Sequence, residues 1–401
     1  MATLYEASNT GRKVIIGFLV LTAVVLVIET ISNLNKESQL GGRDPTRFYM
    51  NPDRKFGDIA RPTIEGIQID PSVKPSYGLE SVFTLLPDVA YVYQVDRPRE
   101  KLGDLEAAQS TVKELGFNSL IFTTEGNNYI WNTASDTKTI TYNKETLQWS
   151  MSTKYADNIE AKKTKVLNTN INTYIGKAEN LIGNLGFDPT GSDDALIDAR
   201  YAKYNNGTFF SNDDPLQADY VIINMFKKLP FADLKPTDEL PETTNKSLIP
   251  KALSAYVYTS DPRVGQVRIV ASNSMNDEAK DIFELKYTDY IYSVDPSSGN
   301  TVLKGAYLII SPEEAWTRIS NNQGSLVSLI PQNGNYFGDK PPSAEVVKFT
   351  ADRSKTELGY YEPEQWTGYV YPMYIFRGKA EMKDGREATF VYYVEAIKRV
   401  D

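Results

Sequence analysis

The sequence predicts an α+β protein in which a single N-terminal transmembrane helix precedes tandem units of antiparallel sheet packed with helices. The first observation is an uncharged apolar run close to the N-terminus. The second is that segments with helical spacing alternate with groups of short β-branched and aromatic runs. The third is the composition, because 401 residues that are 41% hydrophobic and 11% aromatic can bury a sizeable core.

The composition also limits the chemistry of the chain. It contains no cysteine and no histidine, which removes disulfides, thiolate and imidazole metal sites, and every nucleophile–histidine pair. We therefore expect no catalytic site of those kinds, no cofactor and no metal centre. The net charge of −9 argues against nucleic acid as a partner, because binding phosphate requires a positive field.

The apolar run predicts a membrane-spanning helix over residues 13–32. No charge occurs from Val14 to Ile28, and extending the run to Ile31 gives 18 residues, close to the shortest helix that crosses a bilayer core. The alternative is a cleaved signal peptide, but no small-x-small cleavage site follows the run. The apolar residues expected in the bilayer are Val14, Ile15, Ile16, Phe18, Leu19, Val20, Leu21, Val24, Val25, Leu26, Val27 and Ile28.

The charges that flank this helix are nearly balanced. Arg12 and Lys13 precede it, and a similar number of basic residues follows it. Because a tail as short as residues 1–12 most often stays in the cytoplasm, we expect residues 33–401 to lie outside the cell membrane.

Residues 33–88 are rich in Pro, Gly, Asn and Asp, which predicts a stalk that is partly extended and partly laid on the first domain. The remainder is predicted to form two α+β units and a C-terminal unit, at 89–165, 166–300 and 301–401. A helical pattern near the start of each of the first two units ends in Leu-Gly-Phe, at residues 115–117 and 185–187. Since glycine caps both helices, we interpret the pair as a duplicated unit, with coincidence as the alternative.

The C-terminal unit begins with a well-marked helix. Ser311 and Glu314 form a capping box, and Pro312 occupies the first helical position. The pattern therefore predicts that this helix begins directly after Ser311.

Two long strands near the C-terminus predict a hairpin. Asp384-Gly385 is typical of a two-residue turn, which would place Ile375 opposite Val394. Both strands carry apolar residues on both faces, which favours a central hairpin covered by a helix. The tyrosines of this hairpin are therefore interpreted mainly as sheet packing.

Three patterns bear on catalysis or metal binding. Ser110 and Lys113 have the spacing of a Ser-x-x-Lys nucleophile, but no Lys-Thr-Gly partner follows, and the pair sits in an amphipathic helix. A carboxylate dyad of the glycosidase type cannot be located from sequence. Clustered carboxylates indicate solvated turns and helix caps, with a weak Ca²⁺ site as the alternative. These carboxylates are Asp188, Asp193, Asp194, Asp213 and Asp214.

The order of motifs in the last third has a family resemblance. Ser-x-Glu-Glu-Ala begins a helix at 311–315, a Gly-Tyr-Tyr strand follows at 359–361, and a strand centred on Pro-x-Tyr-x-Phe lies at 372–376. This order resembles the PepSY-like domains of YycH/YycI-type regulatory proteins over about residues 300–400, and more weakly over 89–300. The resemblance implies an anchored extracytoplasmic protein whose sheets bind other proteins, with a sensor histidine kinase as one candidate partner.

These observations together lead us to expect a non-enzymatic regulator or assembly factor of the bacterial cell envelope. It would contact the lipid bilayer through its helix and another membrane or envelope protein through its ectodomain. The alternatives are a carboxylate-based envelope hydrolase and a structural subunit of a surface assembly. The aromatic residues proposed for partner contact are Tyr360, Tyr361 and Trp366.

Overall fold

Short β-branched and aromatic runs form strands throughout the described chain, and three amphipathic segments form helices. The computed structural model describes residues 46–48, 51–77, 87–97, 99, 101–133, 138–153, 170–186, 196–236, 252–272, 282–288, 292–295, 301–352, 355–363 and 365–399. The helices are α1 (Asp104–Glu114), α2 (Asn172–Asn184) and α3 (Pro312–Ser320). The strands are β1 (Thr46–Phe48), β2 (Pro75–Tyr77), β3 (Val89–Gln94), β4 (Thr123–Glu125), β5 (Asn128–Asn132), β6 (Lys138–Asn143), β7 (Trp149–Thr153), β8 (Leu196–Asn205), β9 (Thr208–Ser211), β10 (Tyr220–Phe226), β11 (Lys228–Pro236), β12 (Ala252–Tyr258), β13 (Val267–Ser272), β14 (Ile282–Tyr287), β15 (Lys304–Leu308), β16 (Ser325–Pro331), β17 (Val346–Ala351), β18 (Glu357–Tyr361), β19 (Tyr369–Met382) and β20 (Glu387–Glu395).

The chain divides into two units. The smaller comprises residues 1–49 and 234–251. Within it, β1 pairs antiparallel with the last three residues of β11. The larger unit comprises residues 50–233 and 252–401, and it contains two sheets, which we name sheet I and sheet II.

Sheet II has the strand order β4-β5-β6-β7-β14-β13-β10-β8-β9. Its strand β10 is buried along its whole length because both faces are covered. Val221 and Ile223 on one face join the core that α1 and α2 complete, whereas Ile222 on the other face joins a second cluster with Phe337. Because successive side chains of β10 point to opposite faces, this strand contributes to two separate cores.

The two helices that end in Leu-Gly lie on the same face of sheet II. Leu115 and Leu185 are buried in one core, and the glycines that follow them have positive φ angles of 79° and 72°, as a helix C-cap requires. The antiparallel pair β7–β14 lies near the middle of this sheet. The strands β4–β7, which follow α1 in the chain, form one side of the sheet, and β8, β9, β10, β13 and β14, which follow α2, form the other. The duplication stays a prediction, and this pair is where a twofold axis relating two copies would pass.

Sheet I is built around the long strand β19. The order β11-β12-β18-β19-β17-β2 forms its main path, while β3 and β20 also pair with β19, and they in turn pair with β15 and β16. The helix α3 packs on β20, and the ring of Trp316 lies 5.2 Å from that of Phe376 on β19. One face of this part of sheet I is therefore a helix-covered core.

The hairpin between β19 and β20 is one residue out of the predicted register. Ile375 lies opposite Tyr393 rather than Val394, because the turn has three residues instead of two. Met382 and Arg386 are joined by a backbone hydrogen bond of 2.9 Å, and Gly385 takes the positive φ of 83° that closes such a turn. The prediction was wrong because Asp-Gly also suits this longer loop.

The predicted fold class requires correction, because the described chain is mainly β-sheet, with 20 strands and three helices. The prediction of a single-pass membrane protein is corrected as well. Within the described residues, none of the helices is long and apolar enough to cross a membrane, and α1–α3 have only 9 to 13 residues. The predicted location in the cell membrane, with the N-terminus in the cytoplasm, is therefore not supported either. The segment 13–32, including Val14 to Ile28, lies outside the described residues.

Candidate functional site

The candidate site begins where strand β19 leaves the core. Met373 and Ile375 lie on one face of the strand and are buried. Further along that face, Arg377 is partly buried, and Lys379 and Glu381 are exposed. On the opposite face, Ala380 stays buried. From Arg377 onward, the strand therefore has a polar face towards solvent, opposite the face on which Phe376 contacts Trp316 of α3.

Neighbouring strands continue this polar face into a floor that is four strands wide. Gly378, on the opposite face, allows β17 to approach, since a Cβ there would lie 2.2 Å from the Thr350 carbonyl oxygen. The cross-strand register places the mainly polar side chains of this floor in rows. One row consists of Thr350, Lys379, Thr389 and Ile330, and the next of Lys348, Glu381 and Glu387.

The loop that follows β16 forms a wall over this floor, because it is fixed to sheet II. The Asn335 side chain donates to the Phe209 carbonyl at 2.6 Å, and the ring of Phe337 packs into the second cluster of sheet II. Arg263 donates to the carbonyls of Tyr336 and Gly338 at 2.8 and 2.9 Å. The wall is therefore held by specific hydrogen bonds and by apolar burial.

Arg200, on β8 of sheet II, is oriented at the edge of this wall. Its Nε–H donates to the Asp198 carboxylate at 3.1 Å, and the Tyr336 hydroxyl donates to the same carboxylate at 2.7 Å. The guanidinium carbon lies 3.9 Å from the centroid of the Tyr336 ring, within the range of a cation–π contact. Asp198 and Tyr336 thus fix the plane of a guanidinium that is still 45% exposed.

Floor and wall enclose two adjoining cavities, of about 1160 and 680 Å³, which together we call the groove. Arg200, Tyr336 and Lys379 line both cavities. Six basic side chains and three carboxylates line the larger one. The groove is thus rich in cations although the whole chain has a net charge of −9.

The pKa shifts of these groups fix their protonation states. Burial alone would lower the pKa of Arg200, but its interactions with the Tyr336 hydroxyl and with the Asp198 carboxylate outweigh burial and raise it. Burial and the Asp198 carboxylate both raise the pKa of the Tyr336 hydroxyl. At neutral pH the guanidinium is therefore charged and the phenol is neutral.

The aromatic residues predicted to contact a partner lie outside this groove. Tyr360 is fully buried, and its hydroxyl oxygen lies 3.0 Å from the carbonyl oxygens of both Tyr91 and Pro230, which share its one proton. Tyr361 is buried too, so neither ring has surface for a partner. Trp366 is 42% exposed, and its indole N–H donates to the Val95 carbonyl at 3.3 Å.

Of the described residues noted in the sequence for catalysis or metal binding, Asp213 lines the smaller cavity of the groove, whereas Ser110, Lys113 and Asp214 line neither cavity. Ser110 and Lys113 are exposed on α1. Asp214 caps its own turn by accepting from the backbone N–H of Leu216 at 3.0 Å. The described part of the chain contains no cluster of three or more carboxylates that could hold a metal ion, and Asp188, Asp193 and Asp194 lie outside that part.

Sequence reasoning missed the groove because its residues come from distant segments. Arg200, Tyr336 and Lys379 are far apart in sequence, and only the docking of the wall brings them together. One signal was present: Arg377, Lys379 and Glu381 alternate with small residues, the pattern of a strand with one solvated face.

Comparison with known proteins adds little to this geometry. No family model and no curated protein matches the chain. One similar solved structure is that of an uncharacterized protein from Eubacterium rectale, at 12% identity, a TM-score of 0.37, and coverage of 79% of this chain and 86% of that one. A likeness at this level carries no argument about function, and the resemblance to PepSY-like domains stays an expectation.

Proposed function

We propose that this protein is a non-catalytic binding module, a regulator or assembly factor that acts by receiving a segment of a partner protein in the groove. The observation that carries the proposal is the construction of the groove, which joins an open sheet face to a wall fixed through Asn335, Phe337 and Arg263. A site that is formed before binding loses little entropy when it receives a ligand.

The electrostatics of the groove support binding more than catalysis. A catalytic acid or base works best with a pKa near the working pH. The Arg200 and Arg263 guanidiniums and the Tyr336 hydroxyl have their pKa values raised, away from neutrality. Groups held in one protonation state are suited to recognition by charge and hydrogen bonding.

The size of the groove favours a segment of a macromolecule over a small molecule. Small-molecule pockets are typically about 300–1,000 Å³ and enclose most of the ligand. Here the larger cavity alone exceeds that range, and the second cavity extends it past Arg200 and Lys379. An extended peptide would therefore occupy the groove more completely.

A selection of peptides without bias in charge tests this function. We would immobilise the full-length protein and select binders from a random peptide library displayed on phage. Thr389→Trp places a bulky ring on the exposed floor of the groove, so selected peptides should lose most of their binding to this variant.

The matched control is Lys203→Trp, which places the same ring on the same strand as Arg200 but outside both cavities. Binding to this variant should equal binding to the wild type. Peptides that bind Thr389→Trp as well as they bind the wild type would contradict the proposed function.

The two alternatives from the sequence stay predictions. A carboxylate-based hydrolase could use Glu381 and Glu387, which lie directly opposite each other on the floor. Both are exposed, and Lys379 forms an ion pair with Glu387 at 3.2 Å. This arrangement is also ordinary for a solvated sheet face, so it does not favour hydrolysis, and no described contact favours a structural subunit.

A further inference from the structure

We infer that the occupant of the groove is an extended acidic segment of a partner protein, with one of its carboxylates bound by Arg200. This inference rests on the proposed function and adds the chemistry of the ligand. It also assigns Arg200 as the residue that anchors the segment.

Arg200 is suited to this role because its orientation is set before the ligand arrives. The Asp198 carboxylate accepts from Nε, and the Tyr336 ring supports one face of the guanidinium. Arginine presents several N–H donors in one plane and can therefore bind a carboxylate through two parallel hydrogen bonds. Nearly half of the side chain remains exposed, at the boundary of the two cavities.

Two lysines extend the positive surface from this point. Lys379 lines both cavities and is exposed, and its ion pair with Glu387 lies in solvent, where such pairs are weak. Lys348 lines the larger cavity from the adjacent strand β17. A segment with several carboxylates could therefore contact successive cations along the floor, whereas a single small anion would use only one of them.

Phe210 in the smaller cavity is 43% exposed, but the aromatic groups of the larger cavity offer little surface for stacking, which argues against nucleic acid there. Single-stranded nucleic acid is bound by aromatic platforms on which successive bases stack. In the larger cavity, one face of the Tyr336 ring is covered by Arg200, and Phe390 is only 1% exposed. Charge is therefore the main means of recognition that the larger cavity offers.

Direct binding tests the inference. We would titrate a fluorescein-labelled deca-glutamate peptide with the full-length protein and follow fluorescence anisotropy at low and at physiological salt. We expect Arg200→Gln to weaken binding by about tenfold or more, because a bidentate charged contact is lost. Lys348→Gln should weaken binding a few-fold, and it removes no hydrogen bond or ion pair seen in the described structure.

Lys203→Gln is the matched control, since it removes one positive charge from the same strand as Arg200 without touching either cavity. It should change binding less than twofold. Equal effects of Arg200→Gln and Lys203→Gln would show only a general attraction of charge and would overturn the inference. If Arg200→Gln failed to fold, the inference would be tested by Lys348→Gln alone. Unchanged binding of deca-glutamate to Lys348→Gln would then also overturn the inference.

Two further outcomes separate this inference from the proposed function. If the library yields peptides that depend on the groove but are not acidic, and deca-glutamate does not bind, the function stands and the acidic ligand is wrong. If oligo-dT or heparin binds more tightly than deca-glutamate, with the same dependence on Arg200, the ligand is a different polyanion and the peptide inference is wrong.

Discussion

At the scale of single residues, the buried tyrosines of sheet I differ in whether their hydroxyls are satisfied. The Tyr360 hydroxyl has two carbonyl oxygens within hydrogen-bond distance as acceptors for its one proton, whereas the Tyr393 hydroxyl is buried without a hydrogen-bond partner among the described residues. We expect Tyr360→Phe to lower the free energy of unfolding by about 1–2 kcal/mol, because the Tyr91 carbonyl loses this donor. Tyr393→Phe should leave that free energy unchanged or raise it slightly, because it removes a buried polar group that gains nothing from burial.

Urea unfolding of both variants, followed by tryptophan fluorescence, measures this difference. The two substitutions remove the same atom from rings that are both fully buried, so each serves as the control for the other. An equal loss of stability in both variants would contradict the assignment of their hydrogen bonds.

At the scale of elements, helix α3 begins as the sequence predicts. The Ser311 hydroxyl accepts from the backbone N–H of Glu314 at 3.2 Å, and Pro312 is the first helical residue. We expect Ser311→Ala to lower the free energy of unfolding by about 1 kcal/mol, as the loss of a cap usually does. Ser311→Asp should keep most of the stability, because its carboxylate can accept the same hydrogen bond.

The comparison of Ala and Asp at this position isolates the cap from other effects of substitution. Both variants would be unfolded in urea and monitored by circular dichroism. If Ser311→Asp lost as much stability as Ser311→Ala, the hydrogen bond to Glu314 would not be what stabilises the start of α3.

Local signals of this kind explain which elements could be predicted from the sequence. The spacing of Ala108, Val112 and Leu115 predicts α1, and all three are buried. The register of the β19–β20 hairpin was wrong by one residue, because the twist and pairing of whole strands decide between a two-residue and a three-residue turn. Such a choice depends on contacts that the turn sequence does not contain.

At the scale of the whole molecule, the prediction placed too much weight on helices. Strong capping signals made α1, α2 and α3 conspicuous, while many strands are short and lack a strict alternation because both of their faces are covered. The groove could not be predicted at all, since it depends on the loop after β16 reaching sheet II. Long-range docking of that kind leaves no periodic pattern in the sequence.

Arg263 is one of the residues that join these distant parts, and Asp261 fixes its orientation. Asp261 lies in the connection from β12 of sheet I to β13 of sheet II, and it accepts from Arg263 at 2.6 and 2.9 Å. Arg263 in turn holds the wall of the groove through the carbonyls of Tyr336 and Gly338. Both side chains of the pair are largely buried, with 13% and 19% of their surface exposed, so the pair should contribute to the stability of the larger unit.

The stability that this pair provides should depend on pH. Burial alone would raise the pKa of Asp261, but the hydrogen bonds and charge of Arg263 outweigh burial and hold the pKa below its ordinary value of 3.8. The contribution is therefore complete above that value and is lost as the pH falls through the folded-state pKa.

We expect Asp261→Asn to lower the free energy of unfolding by about 2 kcal/mol at pH 7, with a smaller difference from the wild type below pH 3.8. Urea unfolding at a series of pH values measures that difference, and Asp58→Asn, which removes a carboxylate that is 91% exposed, should change little at any pH. A difference that stayed constant down to pH 3 would mean that the wall is held without the charge of Asp261.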